Sequence, residues 1–382
     1  MITYYKVGDL AFSMEGEGRY YDACADYFSD ALRKEVKAED CMLKLHILNE
    51  KDKLKINEKF YAVSTSIAFN RDTYRVNNGT HYAYAVKNLF RADVPTEAWI
   101  KPKGSSKSEK LCSVPPFRFA FKHHDKYSIF AKRIANYSCL WYIFAITLMK
   151  IDAVFIHSGM VGKDDGGIIL TGTGGCGKTS TMAELISNHG WNYVAEDFGI
   201  LTGDGHLRLM QKKASVHGSD IKYGDPYLNG AVKRLGPVKK FEWKAKKLAR
   251  KNPAYHFKPS EIFGDHIKDG APLTTVAFLS RVRGISQPEM RVISMEDLAD
   301  RIRFASFREL KELYELLTNI RAVSGDNYAD SYPAVSELEE RYKEILIRGL
   351  SKANRIHLNL PLGVDPKDTA AIILKVNKEG VQ

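Results

Sequence analysis

Apolar and polar positions alternate in two different rhythms along the chain, and the change of rhythm marks its organisation. Residues 23–36 repeat at helical spacing, while residues 43–48, 60–68 and 82–86 are short, β-rich runs. Residues 101–110 are polar and carry Gly and Ser, so they read as a surface loop. From about 126 the pattern becomes a regular alternation. A helix over 137–149 leads to a strand at 153–156, a Gly/Asp turn at 162–167 and a second strand at 168–171. A helical stretch over 180–188 is stopped by Gly190, and residues 191–195 form the next strand. Farther on, 273–279 and 355–360 read as strands, and 308–320, 334–350 and 366–376 as helices. Such alternation favours an α/β domain. No internal repeat or low-complexity tract interrupts it. We therefore expect an N-terminal α+β domain over 1–125 and an α/β domain over 126–382.

Composition agrees with a folded chain, since 44% hydrophobic residues in 382 can bury real cores. The longest apolar run, residues 139–149, is too short for a membrane span, which needs about 20 residues, so it reads as a buried helix. Residues 1–9 show no apolar export core, which makes the cytoplasm the expected location. Cys24, Cys41, Cys112, Cys139 and Cys176 include no CxxC pair, which argues against a disulfide framework and against a zinc site. The net charge of +11 is concentrated in residues 233–251, where nine basic residues face one acid, Glu242. That segment reads either as a solvated face or loop, or as a contact for an acidic or phosphorylated partner.

One motif carries chemistry. Residues Gly172, Thr173, Gly174, Gly175, Cys176, Gly177, Lys178 and Thr179 satisfy G-x-x-x-x-G-K-[ST] between an expected strand and an expected helix. Glycines at this spacing let backbone N–H groups turn inward around phosphate oxygens, with Ser180 continuing the first turn of the helix. Lys178 would reach the β- and γ-phosphates of ATP, and Thr179 would give its hydroxyl to Mg²⁺. Cys176 reads as a space-filling side chain whose backbone N–H is what matters. Glu196 and Asp197 follow the strand 191–195, where a carboxylate could take a proton from an acceptor hydroxyl and its neighbour could hold the metal. His157 closes the strand 153–156; alone, a histidine there reads more readily as a hydrogen-bonded core residue than as a catalytic one.

Taken with their spacing, His157, the loop 172–179 and Glu196-Asp197 resemble the HPr kinase/phosphorylase family and its phosphoenolpyruvate carboxykinase relatives. That family places a histidine about fifteen positions ahead of the loop, as His157 stands ahead of Gly172. The resemblance implies Glu196 as general base assisted by His157, Asp197 as metal partner, and Arg281 as a cation aimed at the transferred phosphate. It also implies a homo-oligomer, and a segment such as 233–251 acting as a flap toward a protein acceptor. The chain departs from the pattern in having Glu-Asp where two aspartates are usual, in a connection one residue longer, and in lacking the family's C-terminal signatures. The motifs of the carboxykinase branch are also missing.

The expected fold is thus an α/β P-loop kinase domain of the HPr kinase type behind a separate N-terminal α+β domain. The expected function is an ATP- and Mg²⁺-dependent kinase acting on a hydroxyl of a peptide, a protein or a sugar-like molecule. The alternative is a nucleotide-dependent nucleic-acid-binding ATPase, motivated by Phe241 and Trp243 among the lysines of 233–251.

Overall fold

The structure is a computed structural model that describes residues 1–31, 33, 35–54, 60–78, 82–104, 107–111, 113–114, 125–136, 139–210, 214–218, 226–248 and 254–380. It is mixed α/β and forms two compact units, one from Met1–Ile151 with Leu310–Arg341 and the other from Asp152–Glu309 with Tyr342–Gln382. The first unit thus reaches past the expected boundary at 125. It takes in the apolar helix Cys139–Lys150 and regains a segment from near the C-terminal end of the chain.

The first unit is built on an eight-stranded mixed sheet. Its strands are β1 (Ile2–Val7), β2 (Leu10–Gly16), β3 (Leu43–Ile47), β4 (Tyr61–Ala62), β5 (Ile67–Phe69), β6 (Thr73–Asn78), β7 (Tyr82–Lys87) and β8 (Thr96–Pro102), in the order β1-β2-β3-β8-β7-β6-β5-β4. The β2, β3 and β8 strands run parallel, and the other neighbours are antiparallel. Aromatic rings fill its core. Phe12 stacks on Tyr5 at 5.0 Å and meets Phe28 and Phe144 edge-on at 5.6 and 5.2 Å.

Three expectations need correcting here. The helix expected at 23–36 is Gly18–Tyr27, buried through Tyr20, Tyr21, Cys24 and Tyr27. It stops early because the Ser29 hydroxyl donates to the Asp26 carbonyl at 2.9 Å, a local bond that competes with further helix. Residues 60–68 form a hairpin rather than one strand, because Ser64 Oγ accepts from the amides of Ser66 and Ile67 and turns the chain. The expected loop 101–110 holds the end of β8 and a short helix, Lys107–Leu111, with residues 105–106 outside the described set.

The second unit carries β9 (Ala153–Ile156), β10 (Ser158–Gly162), β11 (Gly167–Gly172), β12 (Asn192–Ala195), β13 (Gly199–Thr202), β14 (His206–Arg208), β15 (Ala214–His217), β16 (Ala254–Phe257), β17 (Gly270–Val282), β18 (Glu289–Val292) and β19 (Asn354–Pro361). The long strand β17 organises it. Its first residues pair with β14, which continues through β13 to β9, while its later residues lie parallel to both β11 and β19. Beyond β11 come β10 and then β12, and beyond β19 comes β18, each antiparallel to its inner neighbour.

Alternate residues of these strands face opposite layers. Ile168, Leu170, Ala277, Leu279, Ile356 and Leu358 join a core with the helices Lys178–His189 and Pro366–Glu379. The intervening positions face the helix Met295–Phe307, whose Arg301 lies over the Phe278 ring at 5.5 Å. Among the described residues no helix is long and apolar enough to cross a membrane.

Candidate functional site

The glycine loop joins β11 to the helix Lys178–His189, the strand–loop–helix context its spacing called for. Three of its glycines hold positive φ, at 137° for Gly172, 75° for Gly175 and 106° for Gly177. At Gly172 the reason is contact as well as conformation, since a Cβ would stand 2.2 Å from the Leu279 carbonyl oxygen of β17. At Gly174 and Gly175 a Cβ would meet nothing within 4 Å, so the outer side of the loop is open. Lys178 is buried, and its ammonium donates to the carbonyls of Gly172 and Thr173, both at 3.0 Å. Cys176 is buried too, with its sulfur 3.8 Å from that ammonium, and fills space under the loop. The Ser180 hydroxyl turns back to the Gly177 carbonyl at 3.2 Å.

Glu196 and Asp197 stand where β12 gives way to β13. Glu196 is buried, and its carboxylate accepts the Thr179 hydroxyl at 3.1 Å. Asp197 sits at φ 65°, one of three non-glycine residues with positive φ among the described residues, inside a tight turn closed by the Phe198 amide and the Glu196 carbonyl at 2.8 Å. A side chain held in that region costs on the order of 1–3 kcal/mol and persists only where its surroundings impose it. Here they do, because the Asp197 carbonyl accepts the Ser158 amide at 3.1 Å across the sheet.

His157 occupies the break between β9 and β10, directly beside this turn. Its ring packs edge-on against Phe198 at 5.5 Å, its amide reaches the Ser306 hydroxyl at 3.1 Å, and its carbonyl accepts the Thr171 hydroxyl at 3.0 Å. Arg281 is the penultimate residue of β17, and its side chain lies against the loop. It donates to the Pro361 carbonyl at 2.7 Å, and a Cβ on Gly177 would come within 2.9 Å of its guanidinium. The structure thus gathers His157, the loop, Glu196-Asp197 and Arg281 at the carboxyl ends of β11, β12 and β17.

The basic segment takes a form the sequence reading left open. Pro226–Lys233 and Pro237–Leu248 are helices, and residues 249–251 lie outside the described set. Trp243 is buried and stacks on Tyr255 at 5.6 Å, whereas Phe241 is exposed. Of the two rings that suggested base stacking, one belongs to the core.

Sequence reasoning also missed β10, whose Ser-Gly-Met-Val-Gly run merged with the turn after it. It missed the helix Met295–Phe307 as well, although Ser294 caps it by accepting the Asp297 amide at 3.1 Å, a Ser-x-x-Asp signal present in the text. A third omission was a polar cluster beside the loop. There Ser280 and His357 Nε2 lie 2.9 Å apart, and Arg291 Nε donates to His357 Nδ1 at 3.1 Å.

No protein-family model and no curated protein matches the chain.

Proposed function

We propose that the chain is an ATP- and Mg²⁺-dependent phosphotransferase that moves a γ-phosphate to a hydroxyl acceptor. The observation that carries this reading is the contact between Thr179 and buried Glu196, made at the end of an open glycine loop. A glycine loop alone supports phosphate binding; a carboxylate fixed to the hydroxyl that follows its lysine supports a metal–phosphate site.

The residues fit magnesium. Among the described residues no three His, Cys, Asp or Glu converge, and Mg²⁺ needs no such cage, because it keeps several waters and takes one or two protein oxygens together with substrate phosphates. Thr179 and one carboxylate of the Glu196-Asp197 pair would hold it, and it would neutralise charge on the β- and γ-phosphate oxygens. Lys178 would leave its loop carbonyls for the phosphates, and the loop amides would wrap them. The acceptor hydroxyl loses its proton to a carboxylate as its oxygen bonds to the γ-phosphorus. The bond from that phosphorus to the bridging oxygen breaks, and ADP departs. Arg281 adds positive charge beside the loop, and His157 orders the turn that presents the pair.

The Thr179 contact favours a division of labour opposite to the one the resemblance implies. Glu196, touching the metal-side hydroxyl, belongs with the metal, and Asp197 becomes the base. The test is a steady-state comparison with a panel of serine peptides and sugars. Glu196→Gln should raise the Mg²⁺ concentration needed for half-maximal rate, while Asp197→Asn should lower kcat at an unchanged Mg²⁺ requirement. The reverse pattern restores the implied roles. An ATP turnover that no acceptor stimulates and neither variant alters would sink the phosphotransferase reading.

A further inference from the structure

Four side chains line up at one level across the sheet, on the face toward Met295–Phe307. Thr171 of β11 is in register with Phe278 of β17, Phe278 with His357 of β19, and His357 with Arg291 of β18. The row begins one residue before the glycine loop and ends on an exposed strand. Its polar half is chemically ordered. An arginine can only donate, so the 3.1 Å bond from Arg291 Nε makes His357 Nδ1 an acceptor. The ring proton must then sit on Nε2, and the 2.9 Å contact runs from His357 to the Ser280 hydroxyl oxygen.

Two consequences follow. His357 cannot act as a base on Ser280, so the pair is not a nucleophilic dyad. Instead, buried His357, backed by half-buried Ser280, forms a post that holds the Arg291 guanidinium through its Nε on an exposed strand. A guanidinium held this way has already lost much of the rotamer freedom that binding would otherwise cost, and its fork suits a carboxylate or phosphate. The neighbouring acids have hydrogen-bond partners of their own, although Asp297 also lies within electrostatic reach of Arg291. Asp297 accepts from Arg301 at 2.8 Å, and Glu289 faces Asn359.

We propose that Arg291 is a binding residue for an acidic side chain of a peptide or protein acceptor, with His357 and Ser280 as its positioning residues. This rests on the phosphotransferase reading and narrows it. Arg291 stands three strand spacings from β11, about 14 Å, which is too far for the reacting end of a sugar-sized acceptor and equals about four residues of extended chain. The acceptor is therefore an extended segment with an acidic residue about four positions from its hydroxyl residue.

The experiment measures binding rather than turnover, using fluorescence anisotropy with ADP and Mg²⁺ present. The probes are labelled Ala/Gly decapeptides with one serine and a glutamate four positions away on either side. Controls carry glutamine at that place, or glutamate next to the serine. One glutamate-at-four peptide should bind about tenfold tighter than its glutamine twin, a difference of about 1.4 kcal/mol. Arg291→Gln should erase that preference. His357→Leu, which keeps the arginine but removes its post, should shrink it to about threefold, and His357→Gln should restore part of it; a merely structural role for His357 would weaken all peptides alike.

The proposal is overturned if the glutamate and glutamine peptides bind equally or not at all, if Arg291→Gln keeps the preference, or if the adjacent acid binds best. It is also overturned if an oligothymidylate binds more tightly than the peptides and depends on Arg291. If peptide binding depends on Arg291 while no phosphate moves, the phosphotransferase reading fails and the acidic-segment site stands.

Discussion

The two sheets treat their interruptions in opposite ways. In the first unit a positive-φ residue, Asn88, serves only to end β7, and the packed space is given over to rings, with Phe12 in contact with three other aromatic side chains. In the second unit two adjacent strands break at the same level, at His157 and at Asp197, and the broken ends are tied across the sheet by Ser158 and Asp197. The first arrangement packs aromatic rings against one another. The second accepts a strained residue and buried polar groups beside an open loop, as sites that bind and act on ligands do. The candidate site lies in the second sheet, which also carries a large apolar core of its own.

The largest test of that contrast is Lys178→Ala. Transfer to a competent acceptor should fall by about a thousandfold, while the melting temperature moves by less than about 2–4 °C; a large melting shift would mean that the loop is a structural element. The converse is Phe12→Ala, which should cost the first unit about 3–5 kcal/mol in urea unfolding and leave ATP affinity of the folded protein unchanged. Asp197→Gly should separate strain from function at one position. Relief of the positive φ should stabilise by about 1 kcal/mol while the transfer rate drops; a destabilised variant would show that the side chain supports the fold.

The smallest effect concerns pH. His357 is held below its ordinary value near 6.5, first by burial and then by Arg291 and Arg301, with Asp297 opposing. Ser280, the remaining polar group against the ring, carries no charge. Below pH 6.5 the unfolded chain takes up the proton before the folded one, so stability should fall as pH drops from 6.5 toward the lower folded value and stay flat with respect to this group above it. His357→Gln should remove that slope from melting curves recorded between pH 7 and pH 5. A slope that persists in the variant assigns the effect elsewhere.

How far the text disclosed the structure depended on the range of the interactions. The loop 172–179, the stop at Gly190 and the strands around them were legible because glycine, lysine and alternating apolar residues act locally. The hairpin at 60–68 was hidden, since Ser64 folds the chain through its side chain and leaves the β-rich composition unchanged. The Arg291–His357–Ser280 post was hidden for a different reason. Its members lie 66 and 77 positions apart and meet only through strand register. Of the site, the residue types and their order could be read, but the pairing of Glu196 with Thr179 needed coordinates.

The divided first unit has a consequence for synthesis. Its phenol at Tyr332 donates to the Asn70 carbonyl at 2.8 Å across 262 positions, and Tyr328 packs on Phe69 at 5.9 Å. On a ribosome making about 5–20 residues per second, the sheet edge at β4 and β5 must wait on the order of ten seconds or more for that cover to emerge. A nascent chain halted at residue 309 would carry every strand of the first sheet and still lack Tyr328 and Tyr332, the side chains that meet Phe69 and Asn70 in the folded unit.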